Sequence, residues 1–159
     1  MTASEHDSPG VAFPPPLLFV AGFVAGLLVD GVVPIGLLGA AGRRTAVIAG
    51  WTMVVAGLAL MAAGLVTFVG ARTAVMPHLP ARRLVTSGPY RFTRNPMYLG
   101  LTIAYAGIAL LIDTAWPLIV LPLVLALLVR VVIRREERYL EHAFGGEYRE
   151  YCRRVGRWI

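Results

Sequence analysis

The sequence has few charged residues and no lysine, so arginine supplies all of its basic side-chain charge apart from histidine. Charged residues make up 15% of the 159 residues, whereas hydrophobic residues make up 57%. Soluble domains average roughly 45–50% apolar and about 25% charged residues. A soluble domain of this length could not bury so much apolar surface, so the composition predicts an integral membrane protein.

Cysteine and the common metal-binding patterns are also scarce. The single cysteine, Cys152, excludes an intramolecular disulfide and a cysteine-based zinc cluster, and we interpret it as a thiol without a specific role. The three histidines are isolated, and the sequence contains no HExxH motif, Walker loop or GxGxxG loop. We therefore predict no metal site, and any nucleotide-type cofactor would have to bind without the soluble Rossmann fingerprint.

Four apolar stretches dominate the rest of the chain: residues 17–29, 46–69, 97–112 and 116–133. A helix needs about 20 residues to cross a hydrocarbon core of ~30 Å, and only the second stretch clearly meets this length. Three residues separate the third stretch from the fourth, which predicts a tight helical hairpin. Because no stretch alternates with period two, we predict an all-α, multi-span membrane fold with about four transmembrane helices.

This pattern divides the chain into three parts. Residues 1–16 are polar, acidic and proline-rich, and we predict a flexible leader. Residues 17–70 would form the N-terminal transmembrane helices. Residues 71–159 would form a core made of a loop, the C-terminal helical hairpin and charged C-terminal helices.

Arginine placement predicts the orientation of the spans. The segment between the second and third stretches and the tail after the fourth are rich in arginine, whereas the turn at residues 113–115 has none. With four spans, the two arginine-rich segments fall on one side, which the positive-inside rule makes cytoplasmic. We predict a bacterial-type inner or plasma membrane protein with both termini cytoplasmic, and we expect no nucleic-acid partner.

Nearly all ionisable groups lie in two segments that flank the last two predicted spans, residues 83–98 and 134–151. Because the turn between these spans is short, we expect the two segments to meet in space. Glu136 and Glu137 directly follow the fourth span, where their carboxylates would be partly desolvated. A cationic ligand group would reduce that cost, and pairing with neighbouring arginines explains the two residues equally well.

The first segment contains groups that suit an anionic and aromatic ligand. Asn95-Pro96 predicts the start of a helix, whose free N–H groups favour an anion. Arg94 offers a planar donor fork for a carboxylate, while Tyr90 and Tyr98 offer aromatic faces and hydroxyls. The alternative is a juxtamembrane loop whose tyrosines form an interfacial belt and whose arginines set the topology.

The two segments together carry a two-part pattern. Its residues are Gly88, Pro89, Tyr90, Arg94, Asn95, Pro96, Tyr98 and Gly100, followed by Glu136, Glu137, Leu140, Phe144, Gly145, Tyr148 and Tyr151. Over residues 82–155 this pattern resembles the isoprenylcysteine carboxyl methyltransferase and phospholipid methyltransferase superfamily. The resemblance implies a pocket for S-adenosylmethionine. The cofactor contacts that it implies are Leu84, Val85, Tyr90, Asn95, Pro96, Met97, Tyr98 and Glu136.

The resemblance also implies methyl transfer to a lipophilic or membrane-associated acceptor, either an isoprenylcysteine carboxylate or a phospholipid amine. Where the acceptor must lose a proton, we predict Glu137 as the general base, with Arg94 as the second catalytic residue. Two positions depart from the family pattern, because Asn95 replaces a usual histidine and Val132 replaces a substrate-binding arginine. An asparagine can donate a hydrogen bond but cannot titrate near neutral pH.

Two other functions fit the same sequence. Membrane sterol reductases are distantly similar in their C-terminal helices and would bind a reduced nicotinamide cofactor instead. A small membrane scaffold could also have kept the methyltransferase fold and lost the activity, and Asn95 leaves this alternative open. Competition between the two cofactors separates the enzymes, and the absence of any cofactor binding would favour the scaffold.

Overall fold

The computed structural model describes residues 14–38, 42–71 and 83–159, and all regular structure in these ranges is helical. The elements are α1 (Pro16–Asp30), α2 (Arg43–Gly70), a 3₁₀ turn (Gly88–Arg91), α3 (Pro96–Leu111), α4 (Trp116–Leu128), a π-helical turn (Val129–Ile133) and α5 (Arg134–Arg154). The predicted all-α fold is confirmed. Residues 1–13 of the predicted leader lie outside the described residues, as do Arg72 and Arg82.

The helices expose large apolar side chains and bury small ones, which is the arrangement expected when lipid surrounds a protein. In α2 the exposed fraction is 58% for Trp51 and 68% for Val66. The buried residues of the same helix are Ala46, Gly50, Gly57 and Gly64. Helix α2 and the continuous helix Trp116–Arg154 are long and apolar enough to cross a membrane. The described residues also include two shorter apolar helices, α1 and α3.

Helices α2 and α3 pack together along a seam of glycines. Gly50 and Gly57 of α2 face Gly107 and Gly100 of α3, so each helix contributes glycines seven residues apart. A methyl group added at Gly107 would lie 2.7 Å from the carbonyl oxygen of Gly50, a distance that real side chains do not tolerate. Small residues of this kind let membrane helices approach at backbone distance.

Helices α1 and α4 form a second close pair. Gly22 and Gly26 have the GxxxG spacing, and both are buried against α4. A methyl group at Gly26 would lie 2.7 Å from the backbone nitrogen of Pro117. The spacing therefore serves helix packing here and does not merely reflect a glycine-rich composition.

The predicted hairpin of α3 and α4 is present, and it is held by large side chains. Tyr105 of α3 donates a hydrogen bond to the carbonyl oxygen of Pro117 at 3.0 Å, and its ring contacts those of Phe19 and Phe23. The central apolar cluster consists of Phe19, Tyr105, Val124, Leu128, Val132 and Ile133. This cluster ties the α1–α4 pair to α3.

Helix α4 continues through the π-helical turn into α5, so the last span and the first part of α5 form one helical rod. A kink falls at Gly145, whose φ of +50° suits glycine because other residues rarely adopt it. The helix resumes after this kink and continues to Arg154.

The loop at residues 31–38 and the α3–α4 turn meet at one end of the bundle, which we call the capped end. The Asp113 carboxylate accepts hydrogen bonds from the backbone N–H groups of Leu37 and Leu38, both at 3.1 Å. Asp30 accepts a hydrogen bond from the hydroxyl of Thr114 at 2.7 Å. The opposite end, which we call the arginine-rich end, contains residues 83–95, α5 and residues 155–159.

Candidate functional site

At the arginine-rich end, the loop before α3 is fixed against α2 and α5. Gly88 has a φ of +58°, and a side chain there would also meet the hydroxyl of Thr67. The ring of Tyr90 packs edge-on against Phe68, with 5.1 Å between the ring centroids. Tyr151 of α5 donates a hydrogen bond to the carbonyl oxygen of Tyr90 at 2.8 Å. The two segments predicted to meet in space therefore do so.

The start of α3 has an unusual cap. Asn95 occupies the position whose side chain normally accepts a hydrogen bond from the first helical turn. Here it forms no such bond, because its amide donates to the carbonyl oxygen of Arg157 at 3.0 Å. Pro96 begins the helix as predicted. The first N–H groups of α3 therefore have no side-chain cap, and such groups favour an anion.

Glu136 lies in the first turn of α5, directly after the last span. Among the described residues, it accepts one hydrogen bond. The hydroxyl of Tyr98 donates to its Oε1 atom at 2.8 Å. Burial, with a smaller contribution from the nearby charge of Glu137, raises the pKa of Glu136 to about 7 in spite of the opposing effect of the hydrogen bond from Tyr98. Among the described residues, no arginine forms an ion pair with Glu136.

Glu137 is in the opposite situation, because two arginines bind its carboxylate. Arg157 donates from Nε to Oε1 at 2.9 Å and from a terminal nitrogen to Oε2 at 2.7 Å. Arg94 lies 3.1 Å from Oε1, so the two residues predicted to be catalytic contact each other. The hydrogen bond to Glu137 raises the pKa of Arg157, so this guanidinium stays charged.

Arg94 also contacts a residue that we had interpreted as having no specific role. Its guanidinium donates to Sγ of Cys152 at 2.9 Å, which places this thiol beside the ion pair. The interpretation of Cys152 as a thiol without a specific role stays a prediction, although the thiol has a specific contact. The Nε atom of Arg94 is buried and has no hydrogen-bond partner among the described residues.

The remaining predicted contacts lie in the loop and at the start of α3. Val85, Tyr90 and Pro96 are buried, whereas Leu84 and Met97 are half-buried. The hydroxyl of Tyr90 is buried and lacks a hydrogen-bond partner among the described residues, and burial raises its pKa. An unpaired buried hydroxyl costs free energy unless a ligand or a water molecule pairs with it.

Sequence reasoning missed the residues that reach the site from the C-terminal tail. Arg157 was counted only as a topology signal, although it binds Glu137 and accepts a hydrogen bond from the hydroxyl of Thr93 at 3.1 Å. The backbone N–H of Arg94 donates to the carbonyl oxygen of Gly156 at 3.0 Å. The contacts of the loop with Arg157 have no local sequence signal, because the partners are 62 to 64 residues apart in the chain.

The arrangement combines groups that suit both charges of a zwitterionic ligand. Glu136 is a half-buried carboxyl with no ion-pair partner in the described part of the chain, and the uncapped start of α3 attracts an anion. The unpaired hydroxyl of Tyr90 supplies a further hydrogen bond. The fold and the site thus define an all-helical membrane protein with one polar, partly buried site at the end of its spans.

Comparison with known proteins identifies the family. The sequence profile of the phospholipid methyltransferase family matches residues 45–147, which include most of α2, the loop, α3, α4 and the start of α5. The chain belongs to the phospholipid methyltransferase family. No solved structure matches the chain.

One curated relative is the cobalt-zinc-cadmium resistance protein CzcN of Cupriavidus metallidurans. It is 41% identical to this chain over 72 residues. The matched stretch covers 45% of this chain and 33% of the relative, so it spans about one third of the relative's length. The relative's name describes a resistance protein and does not state a reaction.

Proposed function

We propose that the protein is a membrane methyltransferase that uses S-adenosylmethionine to methylate a lipophilic or membrane-associated acceptor. The observation that carries the proposal is the environment of Glu136. This half-buried carboxyl lacks an ion-pair partner among the described residues, and the hydrogen bond that it accepts there comes from Tyr98, beside the start of α3. Membership of the phospholipid methyltransferase family supports the same reaction class.

The residues at the arginine-rich end fit the groups of S-adenosylmethionine. In this proposal Glu136 offsets a cationic group of the cofactor, which relieves the cost of burying an unpaired carboxylate. The uncapped start of α3, at Asn95 and Pro96, suits the methionyl carboxylate. The apolar surfaces of Leu84, Val85 and Met97, together with Tyr90, suit the adenine ring and the ribose.

In the proposed reaction, the protein positions the methyl acceptor and excludes water from the site. When bound, the cofactor supplies an already electrophilic methyl group, so orientation of the acceptor accounts for much of the catalysis. Glu137 is the proposed general base for an acceptor that must lose a proton. Arg94, 3.1 Å from its Oε1 atom, orients that carboxylate.

The acceptor is proposed to enter from the membrane, because the site directly follows the apolar part of the last span. Val132 is fully buried in the apolar cluster, so no guanidinium meets an acceptor carboxylate at this position. This favours a phospholipid amine over an isoprenylcysteine carboxylate. The arginine excess at this end supports a cytoplasmic location for the site and for both termini.

Calorimetric titration of the purified protein with S-adenosylmethionine tests the proposal. We expect wild-type protein to bind, and Glu136→Ala to weaken binding at least tenfold because the cationic group then loses its only carboxylate. Glu141→Ala is the matched control, since Glu141 is an exposed residue of the same helix that pairs with Arg149. Unchanged affinity for Glu136→Ala would remove this residue from the site.

The same titration distinguishes the alternatives. A folded sample that binds neither S-adenosylmethionine nor a reduced nicotinamide cofactor would favour a non-enzymatic scaffold. Binding of the nicotinamide cofactor alone would favour a membrane reductase. A labelled methyl donor, followed by lipid analysis of cells with and without the protein, would then identify the acceptor.

A further inference from the structure

We infer that Arg157 is a positioning residue of the proposed methyltransferase site, a role that rests on the proposed function and deepens it. It holds the start of α3 and Glu137 of α5 in one arrangement. Arg157 lies outside both the family match at residues 45–147 and the two-part sequence pattern at residues 82–155. The inference therefore comes from its contacts alone.

The side chain of Arg157 provides the first half of the tether. Its guanidinium binds both oxygens of the Glu137 carboxylate, at 2.9 and 2.7 Å. A bidentate pair of this kind fixes orientation as well as distance. The side chain of Glu137 is 18% exposed, so water competes weakly for this carboxylate.

The main chain of the same residue provides the second half. The carbonyl oxygen of Arg157 accepts hydrogen bonds from the Asn95 amide at 3.0 Å and from the Thr93 hydroxyl at 3.1 Å. The preceding carbonyl, that of Gly156, accepts a hydrogen bond from the backbone N–H of Arg94. Three successive residues of the loop are thereby bound to two successive residues of the tail.

These contacts have a direct effect on the cofactor-binding groups. By engaging Asn95, the tail keeps that side chain from capping α3 and leaves the helix start open to an anion. By engaging Glu137, the guanidinium anchors the helical turn that carries Glu136, which reaches across to Tyr98 of α3. Loss of the Arg157 side chain should therefore loosen the register between the start of α3 and α5.

The test compares Arg157→Gln with Arg153→Gln, a matched control whose side chain is exposed and pairs with Glu150. We expect Arg157→Gln to weaken S-adenosylmethionine binding by about tenfold, which corresponds to about 1.4 kcal/mol. Arg153→Gln should bind within a factor of about two of wild type, as expected for an exposed pair. Arg157→Lys keeps the charge but lacks the planar fork, so it should recover part of the loss.

Two further readouts separate positioning from general destabilisation. Amide hydrogen exchange at Arg94 should be faster in Arg157→Gln, while exchange along the α2–α3 seam stays unchanged. Because Arg157 would act through Glu137, the double variant with Glu137→Gln should lose less affinity than the two single losses combined. If Arg157→Gln fails to fold, Arg157→Lys decides the question by the same exchange measurement.

Wild-type affinity in Arg157→Gln, or unchanged exchange at Arg94, would overturn the inference. A wild-type protein that does not bind S-adenosylmethionine would overturn the proposed function instead. In that case the exchange rate of the Arg94 amide alone decides whether Arg157 tethers the loop.

Discussion

The two ends of the bundle both contain acidic residues, but the surroundings of these residues differ. At the capped end, Asp113 accepts two backbone hydrogen bonds and lies 3.8 Å from Arg43. At the arginine-rich end, Glu136 has one hydrogen bond within the described part of the chain, from Tyr98. A carboxylate whose hydrogen-bonding capacity is filled by backbone N–H groups, as in Asp113, stabilises a loop. A carboxyl that is buried with spare capacity costs stability and leaves a place for a ligand.

Replacement of Glu136 by a neutral residue should therefore stabilise the fold. The raised pKa of Glu136, about 7, means that its ionisation opposes folding, so stability is full below the ordinary pKa and is lost as pH rises through 7. At pH 8 we expect Glu136→Gln to raise the free energy of unfolding by about 3 kcal/mol, and at pH 4 by almost nothing. Thermal unfolding in detergent at both pH values measures this, and an equal effect at both would contradict it.

Substitution at the capped end should have the opposite effect. Asp113→Ala leaves the N–H groups of Leu37 and Leu38 without their acceptor, so we expect a loss of about 2 kcal/mol. It also places alanine at a φ of +56°, which favours glycine, asparagine or aspartate. Asp113→Asn, which keeps an acceptor oxygen, should lose less. Cofactor affinity should stay unchanged in both variants, and a change would show that the two ends are coupled.

The pH dependence of binding should be confined to the site. A cationic ligand favours ionised Glu136, and below pH 7 the free protein must first release that proton. S-adenosylmethionine affinity should therefore fall about tenfold between pH 8 and pH 6. Titrations of wild type and Glu136→Gln at both pH values measure this, because the variant binds the same ligand and its affinity should change far less. A parallel decrease in both proteins would mean that Glu136 is not the titrating group.

Sequence reasoning predicted the framework well because lipid imposes a strict rule on backbone hydrogen bonding. The stretch predicted at residues 46–69 became α2 (Arg43–Gly70), and the stretch at 97–112 became α3 (Pro96–Leu111). The position of the hairpin turn was also predicted correctly. The glycine seam could not be predicted, since a glycine-rich chain produces such spacings by chance and only the packed helices reveal a seam.

The site was predicted only where one segment carries its own signal. The Asn95-Pro96 pair predicts a helix start from its local sequence. The short turn between α3 and α4 brings Glu136 near Tyr98. The ion pair of Glu137 with Arg157 could not be predicted, because the chain must first bend at Gly145 before the tail returns to the loop. The tail has eight arginines from Arg130 onward, and their charge alone does not say which one turns inward.

The helical rod that runs from Trp116 to the kink at Gly145 makes the bilayer part of the site's geometry. Glu136 lies on the same rigid element as the last span, whereas its hydrogen-bond donor Tyr98 lies at the start of a neighbouring span. A thicker or thinner membrane changes helix tilt and depth. If the tilts of these two spans change by different amounts, Glu136 moves relative to Tyr98. Lipid composition therefore affects the distance between these two residues.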